Sequence, residues 1–117
     1  MKSPVYPAIQ IADLKKIIDG KLYDSGSAKL VADYDNYDEA DVTLHVREML
    51  YKTKNGSFFL VGTGHYKTTW SCYNSKTGEF IEGHALVPLN EEEAKQWLAL
   101  RDFIDEYEKL FGLPEEA

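Results

Sequence analysis

The sequence has little cysteine, little proline and no long apolar run, and these scarcities limit the classes of protein it can belong to. Its single cysteine, Cys72, cannot form a disulfide within the chain. No stretch approaches the roughly 20 apolar residues that a membrane-spanning helix requires. Residues 1–10 contain one lysine, two prolines and no apolar core, so we expect no secretion signal there and a cytoplasmic location.

Basic residues are scarce in two segments, and this segregation of charge is the most informative feature of the sequence. Residues 33–41 hold five acids and no base, and residues 91–117 hold nine acids against three bases. These segments carry net charges of −5 and −6, the other residues sum to +4, and the total is −7. A field of one sign repels nucleic acid and anionic membranes and attracts basic protein surfaces. We therefore expect a basic protein partner, no membrane and no direct binding of duplex DNA.

Length and composition favour one globular domain. Hydrophobic residues make up 44% and charged residues 28% of the 117 positions, which is too apolar for general disorder. We therefore assign residues 1–117 to a single domain, in which residues 1–14 are a candidate for a loosely attached N-terminal extension.

The segment from 9 to 24 fits two structures. Asp19-Gly20 is typical of a two-residue hairpin turn, but the preceding apolar residues can also be placed at helical spacing. They are Ile9, Ile11, Leu14, Ile17 and Ile18. We favour the hairpin, over residues 15–24.

A short helix and a loop are predicted next. Ser25 or Ser27 can cap a helix that runs through residues 28–32. The acidic residues 33–41 that follow are predicted to form a loop.

The clearest β pattern is a hairpin over residues 42–62. Asn55-Gly56 lies between two β-rich runs, and both residues tolerate positive φ, as a tight hairpin turn requires. Residues 58–61 are apolar on both faces, which predicts a central strand covered on each side. Residues 49–51 break the alternation of the first strand, which indicates a bulge near Arg47-Glu48.

A second pair of strands is predicted over residues 69–73 and 79–87, around the turn-rich residues 74–78. With the first hairpin it makes an antiparallel sheet of four or five strands.

A C-terminal helix is predicted from Asn90 to Gly112. Asn90 is a good N-cap, and Glu93 occupies the capping-box position three residues later. One face is apolar at helical spacing and should pack on the sheet, with a partner-binding groove as the alternative. The members of this stripe are Trp97, Leu100, Phe103, Ile104, Tyr107, Leu110 and Phe111. The predicted fold is therefore α+β, with the sheet packed against this amphipathic helix and the short second helix.

Motifs for chemistry are incomplete. Residues 62–69 lack the glycine that precedes lysine in a phosphate-binding loop, since Tyr66 stands there. Asp33-x-Asp35 begins like a calcium loop, but Asp38 replaces its required glycine. The borderline metal ligands do not occur at the short spacing of a zinc site, although the fold could bring them together. They are His45, His65, His84 and Cys72. We therefore predict no catalytic residues, no metal and no cofactor, and keep a small metal-dependent or cysteine enzyme as a third alternative.

Bases and aromatic residues on the central hairpin favour a second alternative, a regulatory DNA-binding or DNA-associated module. Single-strand binders combine basic grooves with aromatic stacking platforms. The residues concerned are Arg47, Lys52, Lys54 and Lys67 with Tyr51, Phe58 and Tyr66. The net charge of −7 opposes this alternative.

Three runs of the sequence carry a family resemblance: Asp19 to Ser25, Glu48 to Gly62, and Val87 to Asn90 with Glu93 to Leu98. Over residues 17–112 the chain resembles a family of small, largely uncharacterised bacterial proteins, many of which occur in prophages and other mobile elements. After Gly64 the chain departs from that pattern with residues 65–70, which makes the segment 64–78 a candidate for its particular specificity.

The chain also resembles phage-encoded inhibitors of host defence, including anti-CRISPR proteins. It shares with them an acidic composition, incomplete catalytic motifs and the likeness to mobile-element proteins. What this implies is a non-enzymatic protein in the bacterial host cytoplasm, one that occupies a basic nucleic-acid-binding surface of a CRISPR effector or another nucleic-acid-processing complex. The predicted partner-binding residues are Asp33, Asp35, Asp38, Glu39, Asp41, His65, Tyr66 and Trp70.

Overall fold

A computed structural model describes residues 14–36, 46–64, 72–74, 79–81 and 83–117. The predicted α+β class is confirmed, because antiparallel sheets and two helices make up the described chain. The strands are β1 (Lys15–Ile18), β2 (Lys21–Asp24), β3 (Lys29–Asp35), β4 (Val46–Lys52), β5 (Phe58–Gly64), β6 (Cys72–Asn74), β7 (Glu79–Ile81) and β8 (Gly83–Leu89). The helices are α1 (Glu91–Leu100) and α2 (Ile104–Phe111).

The main sheet has four antiparallel strands in the order β3-β4-β5-β8. The central hairpin is confirmed as β4 and β5, and β5 lies between β4 and β8 as its apolar sequence predicted. Of Asn55 and Gly56, only Gly56 takes a positive φ, at 85°. The ladder ends at Lys52 and Phe58, and Thr53 bonds the Ser57 amide through its hydroxyl oxygen, so the connection is longer than a two-residue turn.

The two faces of the sheet are covered by different layers. On one face the helices bury a cluster that includes Leu50, Leu60 and Leu98. On the other face the β1–β2 hairpin buries a second cluster around Tyr23 and Phe59. Successive side chains of a strand point to opposite faces, so β4 and β5 contribute alternately to the two clusters.

The predicted β1–β2 hairpin is confirmed, with Asp19 and Gly20 at φ of 52° and 75°. The predicted short helix over 28–32 is wrong, since these residues lead into and begin β3. The loop predicted for 33–41 is wrong at residues 33–35, which complete that strand; residues 37–41 lie outside the described chain. Pairing with β4 outweighs the weak local preference for a helix, because β3 buries Ala32 against the helices.

The bulge predicted near Arg47-Glu48 is also wrong. The register of β4 with β5 is continuous, and the irregularity lies in β3, between Leu30 and Ala32. Met49, Leu50 and Tyr51 are consecutive buried residues because both faces of β4 are covered.

The second predicted strand pair is confirmed over shorter ranges. Strands β6 and β7 pair with each other. The single strand predicted over residues 79–87 is divided into β7 and β8, and β8 pairs with β5 in the main sheet.

The C-terminal helix begins as predicted but is interrupted. Asn90 and Glu93 form both hydrogen bonds of the capping box, at 2.8 and 2.9 Å. The chain then leaves the helix at Asp102, whose φ is 62°. The amides of Asp102 and Phe103 donate to the carbonyls of Ala99 and Leu98, which is the bonding pattern of a Schellman motif.

The interruption changes which residues of the predicted stripe are buried. Leu100 and Ile104 are 74% and 60% exposed, so their predicted burial is wrong, and Leu98 is fully buried instead. Trp97 and members of α2 face the sheet as predicted, with Phe103 stacked on Trp97 at 5.5 Å between ring centroids.

The left-handed conformation of Asp102 leads to a stability prediction. Glycine adopts positive φ without a steric penalty, so Asp102→Gly should stabilise the protein by about 0.5–1 kcal/mol. Asp105→Gly, inside α2, is the matched control and should destabilise it by a similar amount, because glycine is a poor helix residue. Urea unfolding of both variants measures the difference. If Asp102→Gly is as destabilising as Asp105→Gly, the helix does not end at Asp102.

Candidate protein-binding surface

A buried carboxylate joins the helices to the sheet. Glu48 lies in the middle of β4 and is 7% exposed. Its Oε1 atom accepts a hydrogen bond from Trp97 Nε1 at 2.9 Å and one from Arg101 Nη2 at 3.0 Å. The Arg101 guanidinium also lies 4.1 Å from the centroid of the Tyr34 ring. These contacts fix the last turn of α1 on β3 and β4.

The same contacts determine the charge of the outer helical surface. Two of the three bases in residues 91–117 are engaged within the structure: Arg101 with Glu48, and Lys95 with Glu91 and Glu92 at 3.8 and 3.6 Å. The third base, Lys109, is exposed. On the outer surface of the two helices, exposed and half-buried acids therefore outnumber the bases.

Apolar side chains lie among these acids where α1 gives way to α2. Leu100 and Ile104 are exposed on either side of Asp102, and Asp105 follows directly. We call Leu100, Asp102, Ile104 and Asp105 the helical surface. Protein interfaces commonly combine an apolar centre with a polar or charged rim. The arrangement is suited to binding a basic protein surface.

The predicted acidic site at residues 33–41 is described only in part. Asp33 forms a two-bond ion pair with Arg47, through Nε at 3.0 Å and Nη2 at 2.6 Å. This hydrogen bonding, with the nearby charges of Asp33 and Asp35, raises the pKa of Arg47. Arg47 therefore offsets part of the negative charge of this edge of the sheet. The other predicted partner-binding residues, Asp38, Glu39, Asp41, His65, Tyr66 and Trp70, lie outside the described residues.

The described part of the basic and aromatic hairpin does not form a stacking platform. Tyr51 and Phe58 are buried, so the nucleobases of a bound nucleic acid cannot stack on them. Arg47 is held by Asp33, and Lys52 lies 5.7 Å from the centroid of the Phe58 ring. Lys54 is exposed in the turn, whereas Tyr66 and Lys67 lie outside the described chain.

Within the described ranges, no group of three histidine, cysteine, aspartate or glutamate side chains is arranged to hold a metal ion. His84 and Cys72 lie in β8 and β6, and His45 and His65 are outside these ranges. None of the helices in the described chain has the length and apolar character needed to cross a membrane.

Comparison with known proteins found no matching family model, no matching curated protein and no matching solved structure. The resemblance to mobile-element proteins therefore stays a prediction.

Sequence reasoning did not find Glu48 or the helical surface. The sequence does contain a signal for Glu48, because it is an acid directly before the apolar run Met49-Leu50-Tyr51. A charged residue in a strand that is buried on both faces needs a partner. The helical surface depends on the interruption at Asp102, and no glycine or proline marks that position.

The cluster around Glu48 predicts how Trp97 substitutions behave. Trp97→Ala should destabilise the protein by about 3–5 kcal/mol, because it leaves a cavity under α1. Trp97→Phe keeps an aromatic ring but removes the hydrogen bond to Glu48, and should cost only about 1–3 kcal/mol. Urea unfolding followed by circular dichroism gives both values. If Trp97→Ala unfolds at the parent's urea concentration, the residue does not anchor the helices.

Proposed function

We propose that the protein is a small, acidic, non-enzymatic binding protein that occupies a basic nucleic-acid-binding surface of another protein. In its finer form, the proposal is a phage or mobile-element inhibitor of a host defence complex, of the anti-CRISPR type, acting in the bacterial cytoplasm. The observation that carries the proposal is the helical surface, where exposed apolar side chains lie among acids that outnumber the nearby bases, and where Arg101 turns inward to the buried Glu48.

Charge and apolar area have separate roles in this proposal. The acids raise the association rate with a basic surface, an effect that weakens as salt screens the charges. Leu100 and Ile104 lose contact with water on binding, which stabilises the complex once it has formed. A partner that normally holds nucleic acid supplies the basic surface, so protein and nucleic acid would compete for it.

The direct test is competition on purified CRISPR effector complexes. The protein is added to a panel of effectors, and fluorescence anisotropy reports binding of labelled target DNA. We expect it to release DNA from at least one member, with inhibition weakening as salt rises. If no member loses DNA at saturating protein, the anti-CRISPR form of the proposal is contradicted.

Variants locate the inhibiting surface on an effector that responds. Leu100→Ser with Ile104→Ser should weaken inhibition by at least about tenfold, as loss of central interface contacts does. Leu113→Ser is the matched control, because Leu113 is also exposed but lies beyond α2. Asp35→Asn, Asp38→Asn and Glu39→Gln form a third variant, which tests the acidic segment of residues 33–41. Equal inhibition by the helical variant and the parent would exclude the helical surface.

A further prediction concerns nucleic acid itself. The protein should not bind random duplex DNA at about 0.15 M salt, because non-specific binding requires net neutralisation of phosphates. Fluorescence anisotropy with a labelled duplex measures this. Micromolar or tighter binding would favour the regulatory DNA-binding alternative over the proposed function.

A further inference from the structure

A basic region lies beside the β1–β2 hairpin, which covers the face of the sheet opposite the helices. Lys21 is exposed at the start of β2, and Lys54 is exposed in the turn between β4 and β5. This region differs in charge from the helical surface, so the two would select different ligands.

Two neighbouring clefts, of about 640 and 380 Å³, open between β2 and the turn that joins β4 to β5. Both are lined by Lys21, Tyr23 and Ser57. The larger one is also lined by Lys54 and Asn55, whereas the smaller one is also lined by the acid Glu91, so the larger cleft is the more basic of the two. Binding pockets in proteins commonly have volumes of about 300–1,000 Å³. The Asp24 carboxylate at the larger cleft lies 3.6 Å from Lys15 Nζ, which reduces its effect on the cleft's positive charge.

The wall formed by β2 is a strand edge. The amide of Ser25 donates to the carbonyl of Leu14, and the amide of Leu14 donates to the Ser25 hydroxyl oxygen, so these two residues occupy a hydrogen-bonding position of the hairpin. Hydrogen-bonded and non-hydrogen-bonded pairs alternate in an antiparallel ladder. Ile17 and Leu22 are therefore a non-hydrogen-bonded pair, and the backbone N–H and C=O of Leu22 point away from β1, into the cleft.

The other backbone groups along the β2 edge differ in whether they are already hydrogen-bonded. The Asp24 carbonyl accepts hydrogen bonds from the amides of Ser27 and Ala28, at 3.3 and 3.0 Å. Among the described strands, β2 pairs only with β1. Leu22 is therefore the residue at which an incoming strand would exchange both backbone hydrogen bonds.

We propose that the larger cleft binds an extended acidic segment of a partner protein, which adds as a third strand along the β2 edge. Addition of a peptide strand to an exposed sheet edge is a recurring mode of recognition, in which backbone bonds supply affinity and side chains supply specificity. The strand edge favours a peptide over a nucleic acid, because phosphates do not use both the donor and the acceptor of Leu22. Lys21 and Lys54 favour an acidic peptide.

The two faces of β2 specify the pattern of that segment. Lys21 and Tyr23 lie on one face, whereas Leu22 lies on the other beside the exposed Ile17. Residues of the incoming strand next to Lys21 should be acidic, and those next to Leu22 should be apolar. The cleft therefore selects alternating acidic and apolar residues.

The probe is a short fluorescein-labelled peptide of alternating valine and glutamate, blocked at both ends. A peptide of the same composition, with its valines and glutamates in two separate blocks, is the control for charge alone. Fluorescence anisotropy with the full chain should show saturable binding of the alternating peptide that weakens as salt rises. The block peptide should bind at least about tenfold more weakly.

Proline substitutions test the strand edge. Leu22→Pro removes the N–H that faces the cleft and should weaken binding of the alternating peptide by at least about tenfold. Ile17→Pro is the matched control, because the Ile17 N–H also points outward but on the other edge of the hairpin, and its binding should be unchanged. Proline is tolerated at such outward edge positions. Thermal melting of both variants checks that the fold is retained.

Lysine substitutions test the charge without changing the backbone. Lys21→Gln with Lys54→Gln should weaken peptide binding, whereas Lys16→Gln, on β1, should not. Three results would overturn the proposal: no saturable binding of the alternating peptide; equal loss in the two proline variants; or binding of a single-stranded oligonucleotide that depends on the lysines but not on Leu22. Self-association that Leu22→Pro abolishes would instead identify a second copy of the chain as the occupant. None of these measurements depends on inhibition of an effector.

Discussion

The arrangement of the helices depends on one buried carboxylate. Glu48 sits in a strand that is covered on both faces, where a charge without partners would be strongly destabilising. The Trp97 indole and the Arg101 guanidinium both donate to it, and both come from the end of α1. The carboxylate therefore specifies where α1 lies on the sheet, a role that an apolar residue of the same size would not have.

The position of Arg101 has a second consequence, for the surface. Because the guanidinium turns inward to Glu48 and Tyr34, the helix interruption exposes Asp102 together with Leu100 and Ile104. Lys21 and Lys54 line the larger cleft beside the β1–β2 hairpin, which covers the other face of the sheet. The two proposed binding sites follow from the two signs of charge.

The features that could be predicted from the sequence have a strong local cause. The turns at Asp19-Gly20 and around Gly56, the apolar strand β5 and the capping box at Asn90 each depend on residues within a few positions of each other. The features that could not be predicted depend on distant partners. Residues 28–32 look helical by themselves and become part of β3 only by pairing with β4. Asp102 ends α1 because Phe103 packs on Trp97 and Arg101 reaches Glu48. The acidity of the candidate site was predicted, but its position was not, because that requires knowing which bases are engaged internally.

The position of the helices on the sheet depends on the coupling between Glu48 and Arg101, which a double-mutant cycle measures directly. Glu48→Gln keeps a hydrogen-bond acceptor for Trp97 but removes the charge, and Arg101→Met removes the cation while retaining much of the side chain's length. Urea unfolding of the parent, both single variants and the double variant gives the coupling free energy. We expect the double variant to be less destabilised than the sum of the single variants by about 1–3 kcal/mol, because each single variant removes one charge of the ion pair and leaves the other charge in place. Additivity within about 0.5 kcal/mol would contradict the account, since it would mean that the helices are held on the sheet without this ion pair.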